Sequence, residues 1–262
     1  MKTSCIRWIT ATVVGFAALL TFVSASAAEL VLNGGFESPQ LAAGTYVYGP
    51  TNAQWVFSPA SLHGGAGITT SGSLFTYATG STDGGQVAFL QADGNSIAQK
   101  VVLPLTGNYN LSYSHAGRSV IGGTLTYEVR LDDTVLGKFT THTGQPFSRV
   151  DLQFNAVAGP HTLAFVSTAV PGTAIDQTAF FDSVSLESDF KLVPIGFSNS
   201  SFPVVGFIAE AGQSYVVQVT TDLTFGLWTT FQTVAPGSVR RTVQFSLAGK
   251  SQSRFFRVIA NP

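Results

Sequence analysis

Four histidines, His63, His115, His142 and His161, are the side chains best suited to metal binding or proton transfer, and they stand singly along the chain. No two share the spacing of a metal-ligating pair, so a histidine metal centre has no support. There is no Gly-x-Ser-x-Gly turn, no His-Glu-x-x-His and no glycine-rich phosphate loop ending in Lys and Ser or Thr. Acyl transfer, zinc proteolysis and nucleotide hydrolysis therefore lack their usual frames. Asp132-Asp133 is the one adjacent acidic pair, and a hairpin turn accounts for it. Two carboxylates for glycoside hydrolysis could still converge from distant strands, but no template for catalysis is present. The expectation is a protein that is not an enzyme.

What remains is recognition chemistry. Tyr46 and Tyr48 share one side of the segment between Gly44 and Gly49, and Tyr77 stands near another glycine-rich stretch. His115 shares a strand face with Tyr113, and Arg118 follows just past that strand. Aromatic rings can lie against the apolar face of a sugar, while a guanidinium forks onto hydroxyls or a uronic-acid carboxylate. Each residue also has a plainer reading. A tyrosine can bury its ring and wet its hydroxyl, and an arginine at a strand end can be a solvated edge charge. Trp55 is expected to pack under the first strand, Trp228 to sit in a sandwich core, and Arg240-Arg241 to be a solvated turn.

The elements that position these groups begin with a leader. Lys2 and Arg7 precede an apolar run from Trp8 to Val23, followed by Ser24-Ala25-Ser26-Ala27-Ala28. That is the pattern of a secretory signal peptide over residues 1–28, cleaved after Ala27 or Ala28, and too short for a transmembrane span. Export follows, to the cell exterior, the cell surface or the periplasm. Cys5 is the only cysteine, so the exported chain has neither disulfides nor thiol chemistry and must rest on an apolar core. Taking Lys2 and Arg7 from the 13 basic residues leaves 11 against 14 acidic ones, a net charge of −3. Nucleic acid and anionic lipid are poor partners for such a surface.

Beyond Glu29, two-residue alternation recurs and helical periodicity does not. Asn108 to His115 and Thr124 to Leu131 read as strands with one buried face, and Thr134 to Thr141 as a hairpin partner. Further strands are expected at Leu30–Leu32, Gln86–Gln91, Ser96–Leu103, Ser148–Asn155, His161–Ser167 and Ala179–Leu186. Later ones are expected at Val204–Ile208, Gln213–Thr221, Trp228–Val234, Arg241–Leu247 and Arg254–Ile259. The fold class is all-β: an antiparallel jelly-roll β-sandwich over 29–189, a linker over 190–202 broken by Pro194 and Gly196, and a smaller β-sandwich over 203–262.

Three segments carry a family likeness: Leu32-Asn33-Gly34-Gly35-Phe36-Glu37-Ser38-Pro39, Ser96-Ile97-Ala98-Gln99 with Gly107-Asn108-Tyr109-Asn110-Leu111, and Phe181-Asp182-Ser183-Val184-Ser185-Leu186. Together they resemble the galactose-binding-like jelly-roll superfamily, which includes many carbohydrate-binding modules. The resemblance implies a bacterial, non-catalytic protein that binds extracellular or cell-wall polysaccharide. It also implies a structural calcium (Ca2+) held by Glu37 and Asp182, against the simpler reading that both accept turn amides. Ala211 to Gln218, Thr221-Asp222-Leu223 with Trp228, and Arg254 to Val258 resemble small immunoglobulin- or fibronectin-like modules of secreted Verrucomicrobia and Planctomycetes proteins. The rival expectation is a structural or adhesive surface protein, whose sandwiches are spacers or protein-docking units without a sugar site.

Overall fold

The computed structural model describes residues 9–14, 17–21, 29–61, 64–75, 77, 82–92, 94–119, 124–168, 177–189, 192–197, 203–222, 227–246 and 254–261. His63 lies outside the described residues. Among those described there is no helix, and hence none long and apolar enough to cross a membrane. The chain opens with β1 (Ile9–Val14) and β2 (Ala17–Thr21). Next come β3 (Tyr46–Tyr48), β4 (Val56–Phe57), β5 (Ala66–Thr70), β6 (Gln86–Gln91), β7 (Ser96–Leu103) and β8 (Gly107–Gly117). They are followed by β9 (Leu125–Leu131), β10 (Thr134–Thr141), β11 (Ser148–Ala156), β12 (Gly159–Ser167) and β13 (Thr178–Ser188). The chain closes with β14 (Leu192–Phe197), β15 (Pro203–Ala209), β16 (Ser214–Thr220), β17 (Thr229–Val234), β18 (Arg241–Ser246) and β19 (Arg254–Asn261).

The N-terminal unit is a jelly-roll β-sandwich. One sheet runs β10-β9-β12-β7-β4, the other β11-β8-β13-β6-β5-β3, and all described pairings within them are antiparallel. From β6 to β9, and again from β10 to β13, each strand crosses to the opposite sheet. Only alternating side chains tolerate that path, because every strand must give one face to the shared interior. In β9, Leu125, Tyr127, Val129 and Leu131 are buried while Thr126, Glu128 and Arg130 are not. The interior is aromatic: Phe181 lies 4.7 Å from Phe165 and 4.8 Å from Tyr127, and Tyr113 lies 5.0 Å from Phe165. Trp55 is buried against Phe36 and Phe165, and its Nε1–H donates to Asn33 O.

Leu30–Leu32 is not a strand. The left-handed backbone of Asn33 (φ 54°) and Phe36 (φ 57°) bends the segment, yet it still lies beside β13. Leu30 N donates to Leu186 O, and Val184 N to Gly34 O. Gly34 has to be glycine here, since a Cβ would fall 1.9 Å from Val184 O.

The C-terminal strands form two further sheets, β17-β16-β19-β1-β2 and β14-β15-β18. They enclose Phe207, Tyr215, Val217, Phe245, Phe256 and Val258. The stretch read as a linker contains β14, where a register shift between Pro194 and Gly196 absorbs the two strand-breaking residues. Trp228 is not a core residue. It is half-buried under the Arg257 guanidinium, whose carbon sits 4.4 Å from the ring centroid. In the segment read as a leader, Ile9–Val14 lies along β19 with Ile9 opposite Phe256. An Ile-Thr-Ala-Thr-Val-Val run has the β-branched composition of a strand as well as the apolarity of a leader core.

Candidate functional site

Strand parity decides which groups reach the surface of the six-stranded sheet. Along β8 the odd residues Tyr109, Leu111, Tyr113 and His115 face the core, so Asn108, Asn110, Ser112, Ser114, Ala116 and, beyond the strand, Arg118 lie on the outer face. On β6 the outward residues are Val87 and Phe89, and on β13 Phe180 is outward. At this end of the sheet the face is apolar, which is why β6 is buried on both sides.

Residues 71–75 fold back over that apolar area. Phe75 stacks on Phe89 with centroids 4.2 Å apart and planes at 18°. Tyr46 meets Phe75 edge-on at 4.8 Å, and Tyr48 meets Phe89 edge-on at 5.0 Å. The Tyr48 hydroxyl donates to Gln91 Oε1 at 2.6 Å. The Arg118 guanidinium carbon lies 5.2 Å from the Phe75 centroid, and its Nη2 donates to Leu74 O. Tyr77 bridges Arg118 through the backbone and packs its ring against Phe180 and Phe147. Of the expected residues, Tyr46, Tyr48 and Arg118 thus meet at Phe75, and Tyr77 joins the same apolar cluster through Phe180. Tyr46 is 39% exposed and Leu74 76%, whereas Phe75 is buried. The cluster offers solvent an aromatic edge and an apolar side chain, while the Arg118 guanidinium is tucked against Phe75 with its Nη1 buried.

Tyr77 Oη is buried and takes no hydrogen bond among the described residues. Burial pushes its pKa up, and the nearby Asp182 and Glu37 carboxylates add to the rise.

His115 is elsewhere. It points into the sandwich, 7% exposed, and cannot touch a ligand on the outer face. Its odd parity on β8 puts it beside Tyr113, as the sequence pattern required, but that face is the interior one. There it belongs to a directed chain of polar groups. Gln145 Oε1 accepts from His142 N, so Gln145 Nε2 donates to His115 Nε2 at 3.2 Å. His115 Nδ1 then donates to the Tyr127 hydroxyl at 2.6 Å, and Tyr127 to Tyr113 at 3.1 Å. Burial lowers the His115 pKa and raises those of both tyrosines.

A histidine with a depressed folded-state pKa contributes stability above its unfolded value of about 6.5 and loses that contribution as pH falls below it. Between pH 7.5 and pH 5 the His115 contribution is therefore lost while protonation of Asp182 works in the opposite sense, so the melting temperature is expected to fall relative to that of His115→Gln. Thermal melts across the range check this. An unchanged slope in the variant would place the proton uptake elsewhere.

Glu37 and Asp182 lie against one turn. Asp182 is fully buried; its Oδ2 accepts from Thr82 N, Thr82 Oγ1 and Asp83 N, and its Oδ1 from Ser183 N. Desolvation pushes the Asp182 pKa up to about 6 against the pull of those donors. Glu37 Oε1 accepts from Gly85 N and Gln86 N. Calcium takes six to eight oxygens, and the described residues contain no group of three or more His, Cys, Asp or Glu able to hold a metal. These two carboxylates together accept from five amides and a hydroxyl.

Phe75, Leu74 and Gln91 were not singled out by the sequence pattern. The signal was available in Phe75-x-Tyr77, which repeats the same-side spacing of Tyr46-x-Tyr48.

No family model matches the chain, and no curated protein matches its sequence. Among solved structures the chain is similar to the C-terminal family 6 carbohydrate-binding module of LamC, a marine laminarinase from Zobellia galactanivorans. The identity is 17%, over 51% of this chain and 99% of that one, with a TM-score of 0.34. It is also similar to TmCBM61, solved with β-1,4-galactotriose (15% identity, 62% and 99% covered, TM-score 0.39). A family 35 carbohydrate-binding module from Clostridium thermocellum gives 15% identity, 51% and 98% covered, and a TM-score of 0.34.

Proposed function

We propose that the chain is a secreted, non-catalytic protein that binds extracellular or cell-wall polysaccharide through the cluster around Phe75. The observation that carries this is the convergence of Tyr46, Tyr48, Tyr77 and Arg118, distant in sequence, on one aromatic support with Tyr46 and Leu74 open to solvent. Rings pinned edge-to-face lose little entropy on meeting a sugar, and Arg118, with Nη1 buried and Nη2 on Leu74 O, fixes the Phe75 and Leu74 platform and lends it a positive charge. Single-site binding of this kind is weak and gains strength on a repetitive polymer. Two observations favour a non-catalytic role. His115 is shut in the core, and both ring nitrogens of His161 are engaged, Nδ1 with Asp132 and Nε2 with Val157 O. The immunoglobulin- or fibronectin-like character of the C-terminal sheets belongs to the same reading.

Tyr46→Ala and Arg118→Ala are each expected to weaken retention on a bound polysaccharide at least tenfold, with the fold intact by circular dichroism. Affinity electrophoresis against a panel of neutral and acidic glycans measures it. Capture of a protein partner with retention on no glycan would favour the adhesive reading instead.

For Glu37 and Asp182 we infer that amide anchoring, not calcium, is the resident chemistry. The melting temperature is expected to be the same in EDTA and in millimolar calcium. A rise of several degrees in calcium that Glu37→Gln abolishes would assign the ion to this pair.

A further inference from the structure

We propose that the groove lined by Asn108, Asn110, Gln153, Asn155 and Asp189, at the far end of β8 from the Phe75 cluster, is a second carbohydrate site that takes neutral sugars. The groove encloses about 320 Å³, at the lower end of the range for small-molecule sites. Its walls follow from register. Asn108 lies directly opposite Asn155, and Asn110 opposite Gln153, on adjacent antiparallel strands. Side chains opposite each other stand about 5 Å apart, and those two residues apart on one strand about 7 Å. The four amides thus form a grid of the size of one sugar ring with its substituents. Asn155 Nδ2 donates to Asn108 Oδ1 at 3.2 Å, so part of the grid is already oriented. Tyr109 and Phe154, the residues between these amides on the two strands, turn their rings to the interior face of the sheet, 5.9 Å apart, and so hold the grid from beneath.

The chemistry of the lining selects the ligand. A primary amide both donates and accepts, as a sugar hydroxyl does, so a grid of amides can satisfy a polyol whichever way its hydroxyls turn. Asp189 adds an acceptor for a pair of neighbouring hydroxyls. Glu187 stands opposite Asn110, whereas Asp151, two residues from Gln153, is neutralised by Arg149, so Glu187 together with Asp189 leaves the surroundings acidic. A carboxylated or sulfated ligand would meet repulsion here, unlike at Arg118. The C-terminal unit braces the site: Arg240 reaches Glu210 Oε1 at 3.1 Å and Asp189 Oδ2 at 3.8 Å. The pair read from sequence as a solvated turn thus gives Arg240 a place between the two units.

The groove and the cluster lie on the same outer face. Eight residues of β8 and its end separate Asn110 from Arg118, roughly 26 Å at about 3.3 Å per residue. One extended polymer can therefore engage both.

The test is calorimetry and NMR on the full chain with neutral β-1,4-linked hexaoses of galactose, mannose and glucose, and with a polygalacturonate hexamer as the acidic probe. In a Tyr46→Ala/Arg118→Ala background at least one neutral hexaose is expected still to bind. Adding Asn110→Ala and Gln153→Ala is expected to weaken it at least tenfold, without moving the melting temperature. In the unsubstituted protein the side-chain amide resonances of the grid are expected to shift with the neutral hexaose and stay still with the acidic one, a readout that does not depend on any variant folding. Loss of all neutral binding in the Tyr46/Arg118 background would overturn the second site and leave the first standing. Neutral binding abolished only by the Asn110/Gln153 changes would do the reverse. Hexaose binding with no shift of these amides would also overturn the proposal.

Discussion

Asp182→Ala is expected to lower the unfolding free energy by about 4 kcal/mol, the largest effect of any single side-chain truncation at the candidate sites. The carboxylate is fully buried and receives Thr82 N, Asp83 N and Ser183 N as well as the Thr82 hydroxyl. Removing it orphans three backbone donors at once. Each unmet buried donor costs about 1–3 kcal/mol; with relaxation letting water reach one of the three, the other two at about 2 kcal/mol each give the expected loss. Asn is a poor replacement, because its amide nitrogen would point a donor at donors. Urea unfolding of the variant measures the loss. A change below about 1 kcal/mol would show that the turn amides find other partners and that the carboxylate is not what fixes the turn. The effect reaches function through position, because the anchored turn leads straight into β6, whose Phe89 supports Phe75.

Much of this arrangement was legible in the chain. β6, β7 and β10 fall at the bounds that alternation and turn residues predict, and β8, β9 and β11 within two residues of them. In all of these but β6 a single buried face leaves a period of two; β6 is buried on both faces and is marked instead by its apolar run Val87 to Leu90. β5 is also buried throughout, and Ala66–Thr70 shows neither alternation nor such a run. β3 and β4 are too short to show a period at all. Tyr46, Tyr48, Tyr77 and Arg118 could be named from residue type and loop context, but Phe75, where three of them meet, is fixed by a segment folding back over β6. Nothing local encodes that contact. The misplacement of His115 has a different cause. Parity correctly paired it with Tyr113, but period alone does not say which face is inside. The amide grid shows the converse: Asn108-x-Asn110 and Gln153-x-Asn155 each look like ordinary polar strand faces, and only the register of β8 against β11 makes them one surface.

Trp55→Ala is expected to cost about 3–5 kcal/mol, the range for deleting a buried tryptophan, and Trp55→Phe distinctly less. Trp55 is 2% exposed, wedged 5.3 Å from Phe36 and 6.2 Å from Phe165, so truncation opens a cavity between the first segment and the far sheet. Its Nε1–H is also the partner of Asn33 O. Asn33 holds a left-handed backbone and ties itself to Ser38 through two side-chain hydrogen bonds, and this loop carries Glu37 to the turn shared with Asp182. The phenylalanine variant fills most of the volume but leaves Asn33 O without its donor, so the difference between the two variants separates packing from that hydrogen bond. Comparable losses in both would assign Trp55 chiefly to holding the loop. A small loss in the phenylalanine variant beside a large one in the alanine variant would assign it chiefly to the core, and that is the outcome expected from a ring packed against Phe36 and Phe165.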